Sequence, residues 1–218
     1  MATRKYQGRK YKLEAQSSIV DALTVEEALQ IDINGKPFTV SMRTPGEDRS
    51  LVRGLLHAEG IINDITFIPD IVLKKENEQG IVTVVDLSIP KSKLGEGYTN
   101  SRSLLSVSSC GVCGKTELSD LAFIGKTIDD EEKLEVAMLE KMFGRMKSKQ
   151  SDFKQSGGTH AAAAFSLDGT LLCAMEDIGR HNAVDKVVGK LILSDSLKEA
   201  SVLTVSGRIS YEIVVKCF

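Results

Sequence analysis

The order of predicted elements after residue 129 is the feature that most constrains the fold. A helix comes first, followed by a hairpin that turns at residues 167–169, a helix at 182–193, a buried strand at 202–205 and a last helix. This order favours a layered α/β domain. The first helix is expected to start at the acidic run 129–132, which has capping-box spacing. Its apolar stripe is expected to pack in the core and consists of Leu134, Met138, Met142 and Met146.

The first half of the chain predicts a smaller α+β unit. Residues 29–42 alternate as a hairpin does, with Asn34-Gly35 as a type I′ turn. The apolar spacing from residue 51 predicts a helix that ends at Gly60, and residues 81–89 predict a strand. We therefore divide the chain into a first unit, residues 1–128, and a second unit, residues 129–218.

Composition and charge exclude several classes of protein. Of the 218 residues 42% are hydrophobic and 27% are charged, with a formal net charge of −2, as in ordinary globular proteins. This charge gives no reason to expect a nucleic acid or an anionic membrane as a partner. The apolar stretches are too short to cross a bilayer, and the N-terminus lacks the apolar segment of a secretory signal. We expect a cytoplasmic protein.

Two cysteines, Cys110 and Cys113, form a C-x-x-C pair in a run of glycines and serines. These small residues give little apolar cover, which predicts a loop with accessible sulfur. Such a pair can be a redox dithiol, half of a zinc site, or a nucleophile with a resolving partner. A zinc site ranks third among the functions considered, because no second ligand pair with standard spacing exists. A dithiol oxidoreductase ranks fourth, because the pair lacks the strand-then-helix setting of thioredoxin-like motifs. Cys173, in an apolar run, is expected in the core.

Three polar clusters lie where predicted strands and helices meet, a usual position for sites in α/β proteins. Turns of this kind present backbone N–H groups to an anion, and arginine adds bidentate contacts to phosphate. We predict that the clusters converge on one site for a phosphate-bearing ligand. Its residues are Gly158, Thr159 and His160, then Asp177, Gly179, Arg180, His181 and Asn182, and finally Ser206, Gly207 and Arg208.

Structural explanations compete with the ligand site. His160 could hydrogen-bond a backbone carbonyl. Asp177 and Asn182 could be helix caps. Glu176 or Asp177 could form a surface ion pair with Arg180. Lys186 and Asp185 are expected on a solvated face. The density of donors and ionisable groups between an apolar strand and an apolar helix stripe favours the ligand site.

In these motifs the chain resembles the FdhD/NarQ family of sulfurtransferases, which are required for active formate dehydrogenase. The resemblance covers nearly the whole chain from residue 25, and the run 176–186 is its most specific part. The matching segments, in order, are Ile33-Asn34-Gly35, Thr44-Pro45, residues 51–62, 108–114, 158–162 and 176–186, and Ser206-Gly207-Arg208 with Ser210, Glu212 and Lys216.

The resemblance implies that Cys110 carries sulfur as a persulfide and that Cys113 assists or resolves it. The sulfur would come from a cysteine desulfurase and pass to the bis-(molybdopterin guanine dinucleotide) cofactor, bound as substrate at the predicted site. GDP is the expected surrogate for half of this cofactor, and zinc is not expected. The expected partner is formate dehydrogenase, and the expected assembly is a homodimer. The alternative is a chaperone that binds the molybdenum cofactor without covalent chemistry.

The resemblance also implies a fold, a small α+β domain followed by a three-layer α/β domain similar to cytidine deaminases. Deaminase chemistry is not expected, because zinc deaminases need H-x-E and P-C-x-x-C. Here two alanines follow His160, and the cysteine pair precedes it. The family continues past the Ser-Gly-Arg motif into a further cofactor-binding segment. Since the chain ends at Phe218, inside the last predicted helix, we expect the C-terminal part of this domain to be missing.

Overall fold

Three separate sheets organise the part of the chain that the computed structural model describes, residues 2–13, 15–99 and 132–217. They are a two-stranded ribbon, β1-β2, a sheet of order β4-β3-β6-β5, and a sheet of order β8-β7-β9. No helix in these ranges is long and apolar enough to cross a membrane. The strands are β1 Thr3–Lys12, β2 Ala15–Thr24, β3 Glu27–Ile33, β4 Lys36–Arg43, β5 Asp70–Glu76, β6 Val82–Ser88, β7 His160–Phe165, β8 Leu171–Asp177 and β9 Val202–Val205. The α-helices are α1 Asp48–Ala58, α2 Glu96–Thr99, α3 Val136–Lys149, α4 Ser151–Ser156, α5 Arg180–Leu193 and α6 Tyr211–Val215.

The four-stranded sheet and α1 form the core of the first half. β3 pairs with β4 through Asn34 and Gly35, whose φ angles are 52° and 75°, so the predicted type I′ turn is confirmed. On its other side, β3 runs parallel to β6. The helix predicted from residue 51 is α1, and it ends before Gly60 at φ 65°. The buried leucines of α1 pack with the apolar residues of β3 and β6.

Helices cover both faces of the three-stranded sheet, which gives the second half three layers. The central strand β7 pairs antiparallel with β8 and with β9. Alternate residues of β7 lie on opposite faces of the sheet. Ala162 and Ala164 pack with α5, whereas Ala161 and Phe165 pack with Met142 and Met146 of α3. Met142 and Met146 are therefore core, as predicted, with Met138 partly buried beside them. Leu134 lies before α3 begins, so its predicted place in the helical stripe is wrong.

The start of the second half differs from the prediction. α3 begins at Val136, and residues 132–135 are not helical, so the expected helix start at the acidic run is wrong. α4 follows α3 directly and has no counterpart among the sequence predictions, because Phe153 is its only large apolar side chain. The hairpin, α5, β9 and α6 appear in the predicted order, and α5 begins two residues before the expected Asn182.

α1 and α5 cross at two glycines, and this crossing joins the two halves. A Cβ atom on Gly54 would lie 1.9 Å from the carbonyl oxygen of Asp185, and one on Gly189 would lie 1.8 Å from that of Ser50. Only hydrogen fits at either position at this helix separation. The predicted boundary at residue 128 lies outside the described residues and stays a prediction.

Charged side chains are buried beside this crossing. Lys186 Nζ lies 2.8 Å from Asp177 Oδ2 and donates to the carbonyl oxygen of Thr44 at 2.8 Å. Asp185 pairs with Lys216 at 2.7 Å. Lys186 and Asp185 are each 2% exposed, so their expected place on a solvated face is wrong. α5 is covered by its sheet on one side and by α1 on the other, and ionic partners offset the cost of burying these charges.

Candidate functional site

A pocket lies between the end of α4 and the edge where β7 begins and β9 ends. Its volume is about 320 Å³, near the lower end of the range of roughly 300–1,000 Å³ for small-molecule sites. Residues of two predicted clusters line it together. The lining consists of Gly158, Thr159, His160 and Ser206, which the sequence predicted, and of Gln150, Phe153 and Gly157.

The backbone fixes both sides of this pocket. Gly157 ends α4 at φ 66°, a left-handed conformation that favours glycine. A Cβ on Gly158 would lie 2.5 Å from the hydroxyl oxygen of Thr24, so β2 leaves no room for a side chain there. Across the pocket, the Ser206 hydroxyl accepts from the amide of Ala161 at 2.8 Å, and the Ser206 amide donates to the carbonyl of Ala161 at 2.9 Å.

Glu176 supports the pocket from behind. Its carboxylate accepts from the Thr159 hydroxyl at 2.8 Å and from the amides of Asp152 and Phe153 at 2.9 and 2.8 Å. Those amides belong to the first turn of α4 and lack partners within the helix. Glu176 therefore couples α4 to Thr159 and is a positioning residue. The sequence analysis did not predict this role, because the hydrogen-bond partners of Glu176 are distant along the chain.

Gly207 belongs to the third predicted cluster, residues 206–208, and packs against one residue from each of the other two clusters. A Cβ on it would lie 3.2 Å from His160 Nδ1 and 3.4 Å from Cβ and Cδ of Arg180. Burial lowers the pKa of His160, and the Arg180 charge lowers it further, while Asp177 opposes both effects. The imidazole is thus neutral at neutral pH and can donate or accept a hydrogen bond.

Both ring nitrogens of His181 lie close to side-chain oxygen atoms. Nε2 lies 2.9 Å from Oγ of Ser210, and Nδ1 lies 3.3 Å from Oε2 of Glu212. The Nε2 contact is a hydrogen bond whose donor depends on the tautomer of His181, whereas Oε2 of Glu212 has no hydrogen-bond partner among the described residues. Burial lowers the pKa of His181, Glu212 opposes this, and the charges of Arg180 and Lys216 lower the pKa further. His181 therefore orients Ser210, a residue that lies in a matching segment but outside the predicted site.

The other predicted residues of the second cluster lie at the joint between the halves. Oδ1 of Asp177 accepts from the Gly179 amide at 2.8 Å and from Asn182 Nδ2 at 3.1 Å. Asn182 Nδ2 also donates to the carbonyl of Met42 at 2.7 Å. These contacts brace the start of α5 against β4. Direct contact of these three residues with a ligand stays a prediction.

Cys110 and Cys113 lie outside the described residues, so their relation to the pocket stays a prediction. Arg208 is exposed next to Gly207. Cys173 is half-buried against the α5 core, and burial raises the pKa of its thiol to about 11. Little thiolate therefore forms at neutral pH, which agrees with the predicted core role. Among the described side chains, no group of three or more histidine, cysteine or acidic residues could hold a metal ion.

The pocket lies within the part of the chain that matches a known family. The sequence profile of the FdhD/NarQ family matches residues 24–218. The chain belongs to this family. The FdhD/NarQ match thus includes every pocket-lining residue and both cysteines of the C-x-x-C pair.

Relatives named sulfur carrier protein FdhD are similar over most of the chain. The Streptomyces avermitilis protein is 39% identical over 209 residues, which cover 93% of this chain and 74% of that protein. The Sulfolobus acidocaldarius protein is 36% identical over 217 residues, with 99% and 80% covered. A crystal structure of a presumed formate dehydrogenase accessory protein from Desulfotalea psychrophila has a TM-score of 0.70 at 19% identity, covering 100% of this chain and 79% of that one. At this identity the crystal structure supports the mixed α/β fold alone.

Proposed function

We propose that this FdhD/NarQ protein carries sulfur from a cysteine desulfurase to the bis-(molybdopterin guanine dinucleotide) cofactor of formate dehydrogenase. The Cys110 thiolate attacks the outer sulfur of the donor's persulfide, and the donor cysteine leaves as a thiolate. In the second step the Cys113 thiolate attacks Sγ of Cys110, the S–S bond of the persulfide breaks, and the outer sulfur leaves as sulfide and passes to the cofactor. The Cys110–Cys113 disulfide that remains is reduced by an external dithiol before the next cycle, so that Cys113 acts as the resolving cysteine. Relatives that carry the name sulfur carrier protein support the sulfur chemistry, and the C-x-x-C pair supplies two thiols.

The observation that supports the proposed ligand site is that residues of two predicted clusters line one pocket. Gly158, Thr159, His160 and Ser206 line it, and Gly207 packs against His160 and Arg180. Arg180 offers a guanidinium to phosphate at the start of the 14-residue helix α5, whose dipole also favours an anion. The neutral imidazole of His160 can hydrogen-bond a ribose or a base.

The size of the pocket suits one end of the cofactor. A cavity of about 320 Å³ has room for a nucleotide portion, and a dinucleotide-bearing cofactor extends beyond it. GDP is therefore our proposed surrogate for half of the cofactor. The hydroxyl of Ser210, which is held by His181, follows Gly207 and Arg208 closely in the chain, and we include it among the ligand contacts.

The finer features of the family resemblance belong to the same proposal. We assign the second half a cytidine-deaminase-like fold, in line with its layers of α3, sheet and α5. The proposed setting is the cytoplasm, with formate dehydrogenase as partner and the protein acting as a homodimer. No zinc is assigned.

Intact-mass spectrometry after incubation with a cysteine desulfurase and cysteine tests the sulfur step. We expect one added sulfur on the wild type, none on Cys110→Ala and a partial gain on Cys113→Ala. Cys173→Ala is the matched control and should load like the wild type, because its thiol is half-buried with a raised pKa.

Two other outcomes would change the assignment. Loading of Cys110→Ala but not of Cys113→Ala would reverse the roles of the two cysteines. A variant that lacks both thiols and still supports maturation of formate dehydrogenase would favour the non-covalent cofactor chaperone.

A further inference from the structure

Ser210, His181 and Glu212 follow one another in space at the start of α6. The Ser210 hydroxyl lies 2.9 Å from Nε2 of His181, and Nδ1 of the same ring lies 3.3 Å from Oε2 of Glu212. A hydroxyl at Nε2 and a carboxylate at Nδ1 is the arrangement of a nucleophile, its base and the acid that orients the base. Such triads are recognised by this geometry, whatever their order along the chain.

The carboxylate of Glu212 is held so that one oxygen faces the imidazole. Its Oε1 lies 3.4 Å from Nζ of Lys216, which Asp185 holds in turn at 2.7 Å. Its Oε2 is buried and has no hydrogen-bond partner among the described residues. Because a buried acceptor without a donor costs free energy, this oxygen favours the tautomer with the proton on Nδ1 of His181. It also stabilises the imidazolium that forms when Nε2 takes up a proton.

The Ser210 hydroxyl keeps one lone pair for attack on a substrate. A hydroxyl oxygen has two lone pairs and one proton. One lone pair accepts from the Ile213 amide at 3.4 Å, and in this tautomer of His181 the proton points to Nε2. The described residues make no other hydrogen bond to this oxygen. Ser210 is half-buried, and the preceding residue, Ile209, is 71% exposed, so the oxygen lies near the surface next to an apolar side chain.

We propose that Ser210 is the nucleophile of a second activity, the hydrolysis of carboxylic esters with an apolar acyl group. Oγ attacks the ester carbonyl while its proton moves to Nε2 of His181, the base. The C–O bond of the ester then breaks, and the leaving alcohol takes the proton from Nε2. A water molecule that gives its proton to Nε2 attacks the acyl-serine, the carboxylic acid leaves, and Oγ regains the proton. Glu212 is a positioning residue for His181.

Labelling with a fluorophosphonate, which phosphonylates activated serines and releases fluoride, tests the nucleophile. By mass spectrometry of the whole chain, we expect one label, at Ser210, on the wild type and on Cys110→Ala/Cys113→Ala. Ser210→Ala should stay unlabelled. Ser210→Asn should also stay unlabelled, and it keeps a good N-cap for α6, so that loss of labelling cannot be ascribed to unfolding. The control Ser148→Ala, at an exposed position on α3, should label like the wild type.

Hydrolysis of p-nitrophenyl butyrate separates the roles of the base and the carboxylate. His181→Gln should lower kcat on the order of 100-fold or more. Glu212→Gln should lower kcat with little change in KM, and Glu212→Asp should restore part of it. The carboxylate raises the pKa of His181, so in Glu212→Gln the loss of kcat on acidification should move to lower pH. The other charged or titratable groups that act on this ring, Arg180, Lys216 and His160, are unchanged in that variant.

Three results would each overturn the proposal. They are a wild type that is not labelled at Ser210, a folded Ser210→Asn protein that hydrolyses the ester like the wild type, and an unchanged kcat in His181→Gln. A pH profile that stays in place in Glu212→Gln would remove Glu212 from the triad. No step uses a thiol, so these results do not depend on sulfur loading.

Discussion

The hydroxyl oxygen of Ser210 lies 2.9 Å from Nε2 of His181. This pair joins the loop after β9 to the first turn of α5. Ser210 is also the N-cap of α6, where its oxygen accepts from the Ile213 amide at 3.4 Å. One hydroxyl thus caps the start of α6 and holds the imidazole of His181.

Ser210→Ala should affect stability and ligand binding together. Loss of an N-cap side chain costs roughly 1 kcal/mol of the free energy of unfolding. The affinity for GDP should also fall, because the hydroxyl leaves the site. Urea unfolding and calorimetry measure the two effects, with exposed Ser148→Ala on α3 as control. An unchanged GDP affinity in a folded Ser210→Ala protein would remove Ser210 from the site.

Gly207→Ala should weaken the ligand site more than it weakens the fold. The added methyl group would lie 3.2 Å from His160 Nδ1 and 3.4 Å from Arg180, so these side chains must shift by a few tenths of an ångström. We expect a several-fold loss of GDP affinity by calorimetry and a small change in the midpoint of thermal unfolding. The control Gly8→Ala, whose Cβ would meet nothing closer than 3.9 Å, should bind GDP normally. Equal affinities for the two variants would show that Gly207 does not shape the site.

Gly189→Ala should destabilise the joint between the halves. Its Cβ would lie 1.8 Å from the backbone carbonyl oxygen of Ser50, so α1 and α5 must move apart, at a cost of about 3 kcal/mol or more. Gly144→Ala on α3 is the matched control, because nothing lies within 4 Å of its Cβ and alanine favours a helix. Urea unfolding should show a lower midpoint for Gly189→Ala and an equal or higher one for Gly144→Ala. A wild-type midpoint for Gly189→Ala would contradict the close crossing.

The histidines should make the protein less stable on acidification. Burial lowers the pKa of His57, His160 and His181 in the folded state, so the unfolded chain binds more protons below about pH 6.5. The free energy of unfolding should therefore fall as the pH drops through this value. Asp185 acts in the opposite direction at lower pH, because burial raises its pKa to about 6. His160→Gln should flatten the decline near pH 6.5 in urea unfolding, and an equally steep decline would contradict the lowered pKa.

Local patterns in the sequence predicted the elements that bury apolar residues on a regular period. β9, α5 and the β3-β4 hairpin are of this kind. The Asn34-Gly35 dipeptide also predicted the turn of that hairpin. The ribbon had no such signal, since its strands are largely exposed and polar. The burial of Lys186 and Asp185 depends on α1 packing across α5, a contact made by residues far apart in sequence.

The candidate site was predictable to the extent that glycine marks its turns. Both clusters were identified because their glycine-containing turns lie where predicted strands and helices meet. In the structure, Gly158 and Gly207 are positions where the chain approaches other groups closely. The roles of Glu176 and Ser210 were not, because each acts through partners that only the fold brings near. Asp177 and Asn182 were predicted as ligand contacts. Their role in holding the start of α5 against β4 was not predictable, because the fold alone brings β4 near them.

The most direct test of the proposed cofactor site is calorimetric titration of GDP into the wild type and Arg180→Ala. Loss of one charge-assisted phosphate contact should weaken binding by about 1.5–3 kcal/mol. Arg49→Ala, which removes the same charge from an exposed position on α1, should bind like the wild type. The account predicts this difference between the two arginine variants, and an Arg180→Ala protein that binds GDP as tightly as the wild type would contradict it.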